Sequence, residues 1–171
     1  MLFWTAFGAI GGTLGALATA AAVIVALWQT KYSQRKKLKL VFCDDVKAVT
    51  GPGQEVTELV SLNVINTGNR ITVLTRWGFL LKGGQRMMIF SNIPIDTLPP
   101  LFQTQFKTEF PYKLDVEQRV TLYYEKCLFT KIVSESCQNN ELNPERKIVF
   151  YVTDSTGKEY FVKSQKRAKE Y

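Results

Sequence analysis

The hydrophobic pattern of this chain changes abruptly near residue 30. The sequence from Leu2 to Trp28 is apolar or small without interruption, and residues 1–30 contain no Asp, Glu, Lys or Arg. As a helix with about 1.5 Å of rise per residue, this stretch is roughly 40 Å long, which is enough to cross a hydrocarbon core of about 30 Å. The pattern therefore predicts a transmembrane anchor helix over residues 1–30.

A cleaved secretory signal is the alternative interpretation, because Ala18-Thr19-Ala20 resembles a small-x-small cleavage site. A signal peptide usually begins with a positively charged region and leads into a polar mature end. This sequence has no cation before Lys31, and cleavage would leave the hydrophobic stretch Ala21 to Trp28 at the new N-terminus. We therefore favour a retained anchor.

Basic residues follow the apolar stretch at once. We define the basic juxtamembrane collar as residues 31–39, with the cations Lys31, Arg35, Lys36, Lys37 and Lys39. Such clusters stay on the cytoplasmic side of a membrane, where they are attracted to anionic lipid. The expected topology is single-pass, with the N-terminus outside and the rest of the chain in the cytosol.

Small residues recur along the predicted helix. Gly8 and Gly12, and likewise Gly11 and Gly15, form two overlapping small-xxx-small pairs. Such a face lets two helices approach closely, so the helix is a candidate for homo-oligomerisation or for packing against a partner's helix. Glycine-rich spans that do not associate are also common, and this alternative stays open.

Beyond the collar, apolar positions alternate with a period of two, which is typical of half-buried strands. Turn residues separate the alternating runs, and Asp154-Ser155-Thr156-Gly157 lies at the centre of a predicted hairpin. Val60 to Asn66 and Ile71 to Leu81 are interpreted as two strands joined by a tight turn. Trp77 and Phe79 are expected to be core residues.

About seven short strands over residues 40–162 favour an immunoglobulin-like antiparallel β-sandwich, with an OB-like barrel as the competing architecture. Residues 91–118 contain four prolines and predict a long connection with edge segments at most. Polar residues over 134–146 predict another loop. Residues 163–171 form a basic C-terminal tail, expected to be solvated or, alternatively, to contact the membrane.

The layout resembles a family of small bacterial membrane proteins in which an anchor helix and a basic collar precede an immunoglobulin-like domain. The stretches that carry the resemblance are residues 60–73, Trp77-Gly78-Phe79 and Val152 to Lys158. In that family a proline often follows the arginine of the first turn, where this chain has Ile71, and a glycine turn often stands where it has Glu117. The resemblance implies a fold and an inner-membrane location, and no catalytic or ligand-binding residue.

Charge and residue inventory exclude several function classes. The net charge is +7, but the basic excess lies in the collar and the tail, which leaves residues 40–162 close to neutral. A nucleic-acid interface would need cations across a face of the fold, so no nucleic acid is expected.

The chain has no His, and its cysteines, Cys43, Cys127 and Cys137, lack metal-ligand spacing. We therefore predict no catalytic site, metal or cofactor; the cysteines are read as free thiols, with a Cys127–Cys137 disulfide as the alternative.

The first functional hypothesis is a non-enzymatic anchor protein whose cytosolic domain mediates protein–protein contact at the membrane. The candidate docking surface is the connection 91–118, because so many apolar side chains in a loop need either a partner or the core. These side chains are Leu98, Leu101, Phe102, Phe106 and Phe110. The second hypothesis is a tethered sensor domain that binds a small ligand or a peptide.

Overall fold

The computed structural model describes residues 2–49, 56–89 and 108–171, without the side chains of residues 2–7, 9, 10, 49 and 56. The chain divides into two compact units, Met1–Arg35 and Lys36–Tyr171. We call them the helical unit and the β domain. The predicted dock residues Leu98, Leu101, Phe102 and Phe106 lie outside the described residues.

The helical unit contains one helix, α1, over Leu2–Ser33. Its stretch Gly11–Ser33 has a mean hydropathy of 1.8, and none of it is buried in the protein. The predicted apolar helix is thus present, and it ends three residues later than expected, at the first turn of the collar. Its length and composition suffice for a membrane span, and an N-terminal signal sequence meets the same criterion.

The β domain contains eight described strands in two antiparallel sheets. The strands are β1 Leu38–Val49, β2 Val56–Asn66, β3 Thr72–Leu80, β4 Arg86–Met88, β5 Tyr112–Leu114, β6 Arg119–Glu125, β7 Lys147–Asp154 and β8 Glu159–Arg167. One sheet has the order β1-β2-β6 and the other β4-β3-β7-β8, with β5 also paired to β3. A helix, α2, spans Lys126–Gln138, and 3₁₀ turns span Lys82–Gly84 and Ala168–Glu170.

A single hydrophobic core takes side chains from both sheets. Phe42 of β1 stacks on Phe150 of β7 with ring centroids 4.0 Å apart. Alternate residues of β2 and β6, such as Leu62 and Leu122, are almost completely buried, as the period-two pattern predicts. Trp77 is 2% exposed, which confirms it as a core residue together with the fully buried Phe79.

The two strands predicted on either side of the turn 67–71 are present as β2 and β3, but they do not pair with each other. They belong to different sheets: β2 pairs with β1 and β6, whereas β3 pairs with β4, β5 and β7. The turn between them crosses from one sheet to the other, which a pattern of apolar residues does not reveal. The predicted hairpin of β7 and β8 is confirmed, with Val152 opposite Tyr160.

The prediction of a loop over 134–146 is wrong for its first part, because α2 continues to Gln138. Phe129, Val133 and Cys137 lie four residues apart on one face of α2, and the first two are fully buried. Polar residues such as Ser134 and Glu135 occupy the opposite, exposed face. This helical spacing was not detected in the sequence, because polar residues lie between the apolar positions.

The interpretation of residues 163–171 as a separate basic tail is also wrong. Strand β8 continues through Arg167 and pairs it with Lys147 of β7. Beyond it, Ala168 is 3% exposed, and the Tyr171 ring packs edge-on against Phe129 at 5.3 Å. The segment belongs to the domain because Ser164 and Ala168 are buried and Tyr171 packs against the core, although its exposed residues are mostly cationic.

Candidate functional site

Four chain segments meet at one end of the β domain. They are the start of β1 with Lys36 and Lys37, the turn 67–71, the turn 115–118 and the turn 154–158. The register places them together, because Leu38 lies opposite Asn66, Thr72 opposite Leu114 and Ile65 opposite Arg119. We call this the proximal end, since the β domain begins there in the chain. The other end of the strands, with α2 and Arg167, is the distal end.

Asn66 connects the segments of the proximal end. Its fully buried side-chain amide donates hydrogen bonds to the carbonyls of Arg70 at 2.7 Å, Asp115 at 3.1 Å and Leu114 at 3.2 Å. Its side-chain oxygen accepts from the backbone N–H of Gly68 at 3.1 Å. The two turns 67–71 and 115–118 are therefore held side by side by one side chain.

Backbone contacts attach the other two segments. The N–H of Thr67 donates to the carbonyl of Lys37 at 2.9 Å, and the N–H of Ser155 donates to the carbonyl of Val73 at 2.8 Å. In the turn 154–158, the buried carboxylate of Asp154 accepts from the Thr156 N–H at 2.8 Å and the Lys158 N–H at 3.1 Å. Burial by itself raises the pKa of Asp154, but these donors and the charge of Lys36 hold the pKa below its usual value.

The surface of the proximal end combines exposed apolar and cationic side chains. Ile71 is 47% exposed in the first turn and Val116 is 41% exposed in the neighbouring one. Arg70 and Lys158 are exposed, and Lys113 keeps 65% of its side chain in solvent beside Asp115. Sequence reasoning missed this surface; the available signal was an isolated apolar residue inside each polar turn, with Arg70 beside Ile71 and with Asp115 and Glu117 on either side of Val116.

Cations at the distal end have acidic partners. Lys166 pairs with Asp44 at 3.0 Å, and both Arg167 and Lys169 pair with Glu145, at 3.2 and 2.8 Å. Because β8 begins at the proximal end and runs away from it for nine residues, these groups lie roughly 25 Å from its start. The alternative in which this basic segment joins the collar is therefore not supported.

The five collar cations are divided between the two units. Lys31 lies in the last turn of α1, and the Arg35 guanidinium lies 5.2 Å from the centre of the Tyr32 ring. Lys36, Lys37 and Lys39 belong to the β domain.

The glycine face of α1 is open. No described atom lies within 4 Å of the position that a β-carbon would occupy on Gly8, Gly11, Gly12 or Gly15. Farther along, the Thr19 hydroxyl donates to the Gly15 carbonyl at 2.9 Å, so this hydroxyl needs no hydrogen-bond acceptor on another helix. This geometry permits close helix packing. Association of α1 with another helix stays a prediction.

Of the predicted docking residues, the structure describes Phe110 alone. Its side chain is partly buried and packs against the core of the β domain. That position favours the alternative in which apolar residues of the 91–118 connection cover the core, at least for its final part.

All three cysteines are free thiols. The alternative of a Cys127–Cys137 disulfide is wrong, because both lie on α2 ten residues apart, about 15 Å along the helix axis. Cys127 is exposed, and burial raises the pKa of the half-buried Cys137. Cys43 is partly exposed on β1.

A metal site in the described ranges would need a cluster of acidic and thiol groups, and a ligand site would need a cavity. No group of three or more Cys, Asp or Glu is positioned there to hold a metal ion. A cavity of about 100 Å³ is lined by Phe79, Met87, Met88, Ile89, Tyr124, Phe129 and Ile132. Ligand sites are usually roughly 300–1,000 Å³, so this cavity gives the sensor hypothesis little support.

Comparisons with known proteins do not identify a family. No protein-family model matches the chain, and no curated protein matches it. Among solved structures, a target of the Northeast Structural Genomics Consortium is 10% identical, with alignment over 77% of this chain and 81% of that one. Its TM-score is 0.21, which does not establish a shared fold.

Proposed function

We propose that this chain is a single-pass membrane protein without enzymatic activity, whose β domain mediates protein–protein contact beside the bilayer. The observation that carries the proposal is α1, whose Gly11–Ser33 stretch is long and apolar enough to span and is not buried in the protein. An exposed apolar helix of this length needs a lipid environment, because contact between its apolar surface and water is unfavourable. Anchoring then raises the effective concentration of the β domain near other membrane proteins.

The immunoglobulin-like class is the finer part of the proposal, and strand order supports it. Immunoglobulin domains place strands A, B, E and D in one sheet and C, F and G in the other, with C′ added beside C in the variable type. Here β1-β2-β6 corresponds to A-B-E, and β4-β3-β7-β8 corresponds to C′-C-F-G. Strand β5 departs from this order, because it pairs with β3 and not with β6 as a strand D would. A bacterial inner membrane, with the N-terminus outside and the β domain in the cytosol, is supported by the collar and by the resemblance.

Membrane anchoring is tested by washing membranes that contain the full chain with alkaline carbonate. We expect the intact chain to stay in the pellet and to require detergent for release. A reporter fused after Tyr171 should be active only in the cytosol. Recovery of a shortened chain without the first 20 residues, free in the soluble fraction, would instead establish a cleaved signal.

Protein contact is tested by crosslinking the full chain in membranes and comparing two variants. Phe102→Ser combined with Phe106→Ser should abolish capture of a partner while the β domain stays folded. The matched control is Phe161→Ser, which removes an aromatic ring that is 53% exposed on β8. Equal capture by both variants, or loss of folding in the first, would contradict a docking role for this connection.

A further inference from the structure

We infer that the proximal end of the β domain is a binding surface for anionic lipid, in which Ile71 and Val116 enter the headgroup layer between cationic side chains. The inference rests on the proposed function, because it requires α1 to anchor the chain in a bilayer. It goes beyond the collar, since the residues that would contact lipid lie in turns distant in sequence.

The apolar part of this surface consists of two neighbouring turns. Ile71 and Val116 are 47% and 41% exposed, and Asn66 ties their turns together through the carbonyls of Arg70 and Asp115. A single exposed apolar residue is ordinary on a protein surface. Two of them on adjacent turns at one end, each able to bury its side chain in an interface, form a small apolar tip.

Cationic side chains from three segments lie near the tip, although Val116 itself lies between Asp115 and Glu117. Arg70 directly precedes Ile71, Lys158 is exposed in the third turn, and Lys36 and Lys37 enter beside Thr67. Lysine and arginine also bring apolar stems that suit a headgroup layer. Contact with anionic lipid would use both parts of these side chains at once.

Most carboxylates at this end are already engaged within the protein. Asp154 is buried in its own turn, and Glu159 accepts two hydrogen bonds from Arg86, at 2.7 and 3.0 Å. Asp115 lies 3.7 Å from Lys113, so Glu117 is the remaining exposed carboxylate of the turns. The proximal end therefore presents a net positive surface, complementary to anionic phospholipid.

Chain connectivity favours lipid over other anions. Three residues separate Ser33, the last residue of α1, from Lys37, whose carbonyl belongs to the proximal end. Four peptide units of extended chain span at most about 14 Å. A bilayer that contains α1 is therefore within reach of these turns, whereas the distal cations already pair with Asp44 and Glu145.

The test uses the full chain in lipid nanodiscs, either phosphatidylglycerol-containing or purely phosphatidylcholine. In a background with Cys43, Cys127 and Cys137 replaced by Ser, single cysteines are introduced as Ile71→Cys, Val116→Cys and the control Met88→Cys. Met88 is 40% exposed and lies on β4, outside the proximal turns. Each cysteine carries a fluorophore, and lipids labelled near the headgroup serve as quenchers.

We expect at least twofold more quenching for labels at positions 71 and 116 than at position 88 in anionic discs, and a smaller difference in phosphatidylcholine. Equal quenching at all three positions, or the same pattern without anionic lipid, would overturn the inference. A failure of anchoring itself is distinguishable, because the chain would then not be recovered in the discs.

Charge reversal supplies the second arm of the test. Arg70→Glu combined with Lys158→Glu should bring quenching at position 71 down to the level at position 88, since each cation near an anionic surface contributes roughly fivefold to binding. Lys131→Glu combined with Lys163→Glu changes net charge equally on exposed residues away from the proximal turns. Equal effects of the two pairs would show an unspecific charge effect and would contradict a surface at the proximal end.

Discussion

Asn66 is the residue on which the proximal end depends most. It is fully buried and its side chain makes four hydrogen bonds, three as a donor and one as an acceptor. A buried backbone carbonyl that loses its donor costs about 1–3 kcal/mol, because water cannot replace the donor inside the protein. The neighbouring Asn69 is exposed and has no such role in the described contacts.

We expect Asn66→Ala to lower the free energy of unfolding by about 3 kcal/mol, because several carbonyls lose their donor together. The measurement is denaturant unfolding of the full chain in detergent, followed by Trp77 fluorescence. Asn69→Ala is the matched control and should change the free energy by less than about 0.5 kcal/mol. Similar values for both variants would show that the Asn66 contacts do not determine stability.

At the scale of elements, α2 contributes to the core as a strand would. The fully buried ring of Phe129 lies 5.9 Å from that of Phe150, 6.2 Å from Phe79 and 6.3 Å from Phe42. Aromatic pairs at these distances add to the stabilisation from burial alone. The helix therefore packs against both sheets at the distal end, although the sequence predicted a loop from residue 134 onward.

Truncating this ring tests that role. Phe129→Ala should lower the free energy of unfolding by about 3–5 kcal/mol, through lost burial and the cavity that remains. Lys131→Ala, on the exposed side of the same helix, should change it by less than about 0.5 kcal/mol. Thermal melts followed by circular dichroism distinguish the two, and a loss below 1 kcal/mol for Phe129→Ala would contradict the packing of α2.

At the scale of elements, Asp44 of β1 also contacts Lys166 of β8 and Tyr171. A bulge between Cys43 and Val46 interrupts the pairing of β1, and there Asp44 turns inward to contact Lys166 and the Tyr171 hydroxyl, at 3.0 and 3.2 Å. Burial raises the pKa of Asp44, but the hydrogen bond and charge of Lys166 and the Tyr171 hydroxyl outweigh it and hold the pKa below its usual value. Burial, together with the charge and hydrogen bond of Asp44, raises the pKa of Tyr171.

This pKa shift predicts an acid-dependent loss of stability. Because the pKa of Asp44 is lower in the folded than in the unfolded chain, its contribution is complete above about pH 4–5 and is lost as pH falls below the unfolded pKa, near 3.8. Asp44→Asn should therefore destabilise the domain at pH 7 and reduce the loss of stability between pH 5 and pH 3. An unchanged acid slope in denaturant titrations would contradict the role of this carboxylate.

At the scale of the whole molecule, the cations of the β domain differ in whether they have acidic partners. The basic residues after 163 pair with Asp44 and Glu145 within the β domain. At the proximal end Lys37 and Arg70 are exposed, whereas Lys113 lies beside Asp115 and the Lys158 ammonium lies 5.0 Å from the centre of the Tyr160 ring. The cations after residue 163 therefore have acidic partners within the fold, whereas exposed cations of the proximal end do not all have one among the described residues.

Self-association through α1 is also a whole-molecule prediction. If the open glycine face brings two helices together, Gly12→Ile should reduce crosslinked dimers of the full chain in membranes severalfold, because the larger side chain keeps the backbones apart. Leu17→Ile, a substitution elsewhere on α1, is the control and should leave dimers unchanged. Equal dimer yields from wild type and Gly12→Ile would show that this face does not associate.

The sequence by itself determined the apolar helix, the β character of the rest, the turn before β8 and the burial of Trp77 and Phe79. These features depend on residues close in the chain, where a period of two or an uncharged run expresses the local environment directly. Tertiary structure decided that β2 and β3 lie in different sheets, that Lys166 pairs with Asp44 and that Asn66 holds together the turns that contain Ile71 and Val116. Contacts between residues far apart in sequence depend on strand order and register, and side-chain pattern alone leaves both open because many arrangements bury the same apolar positions.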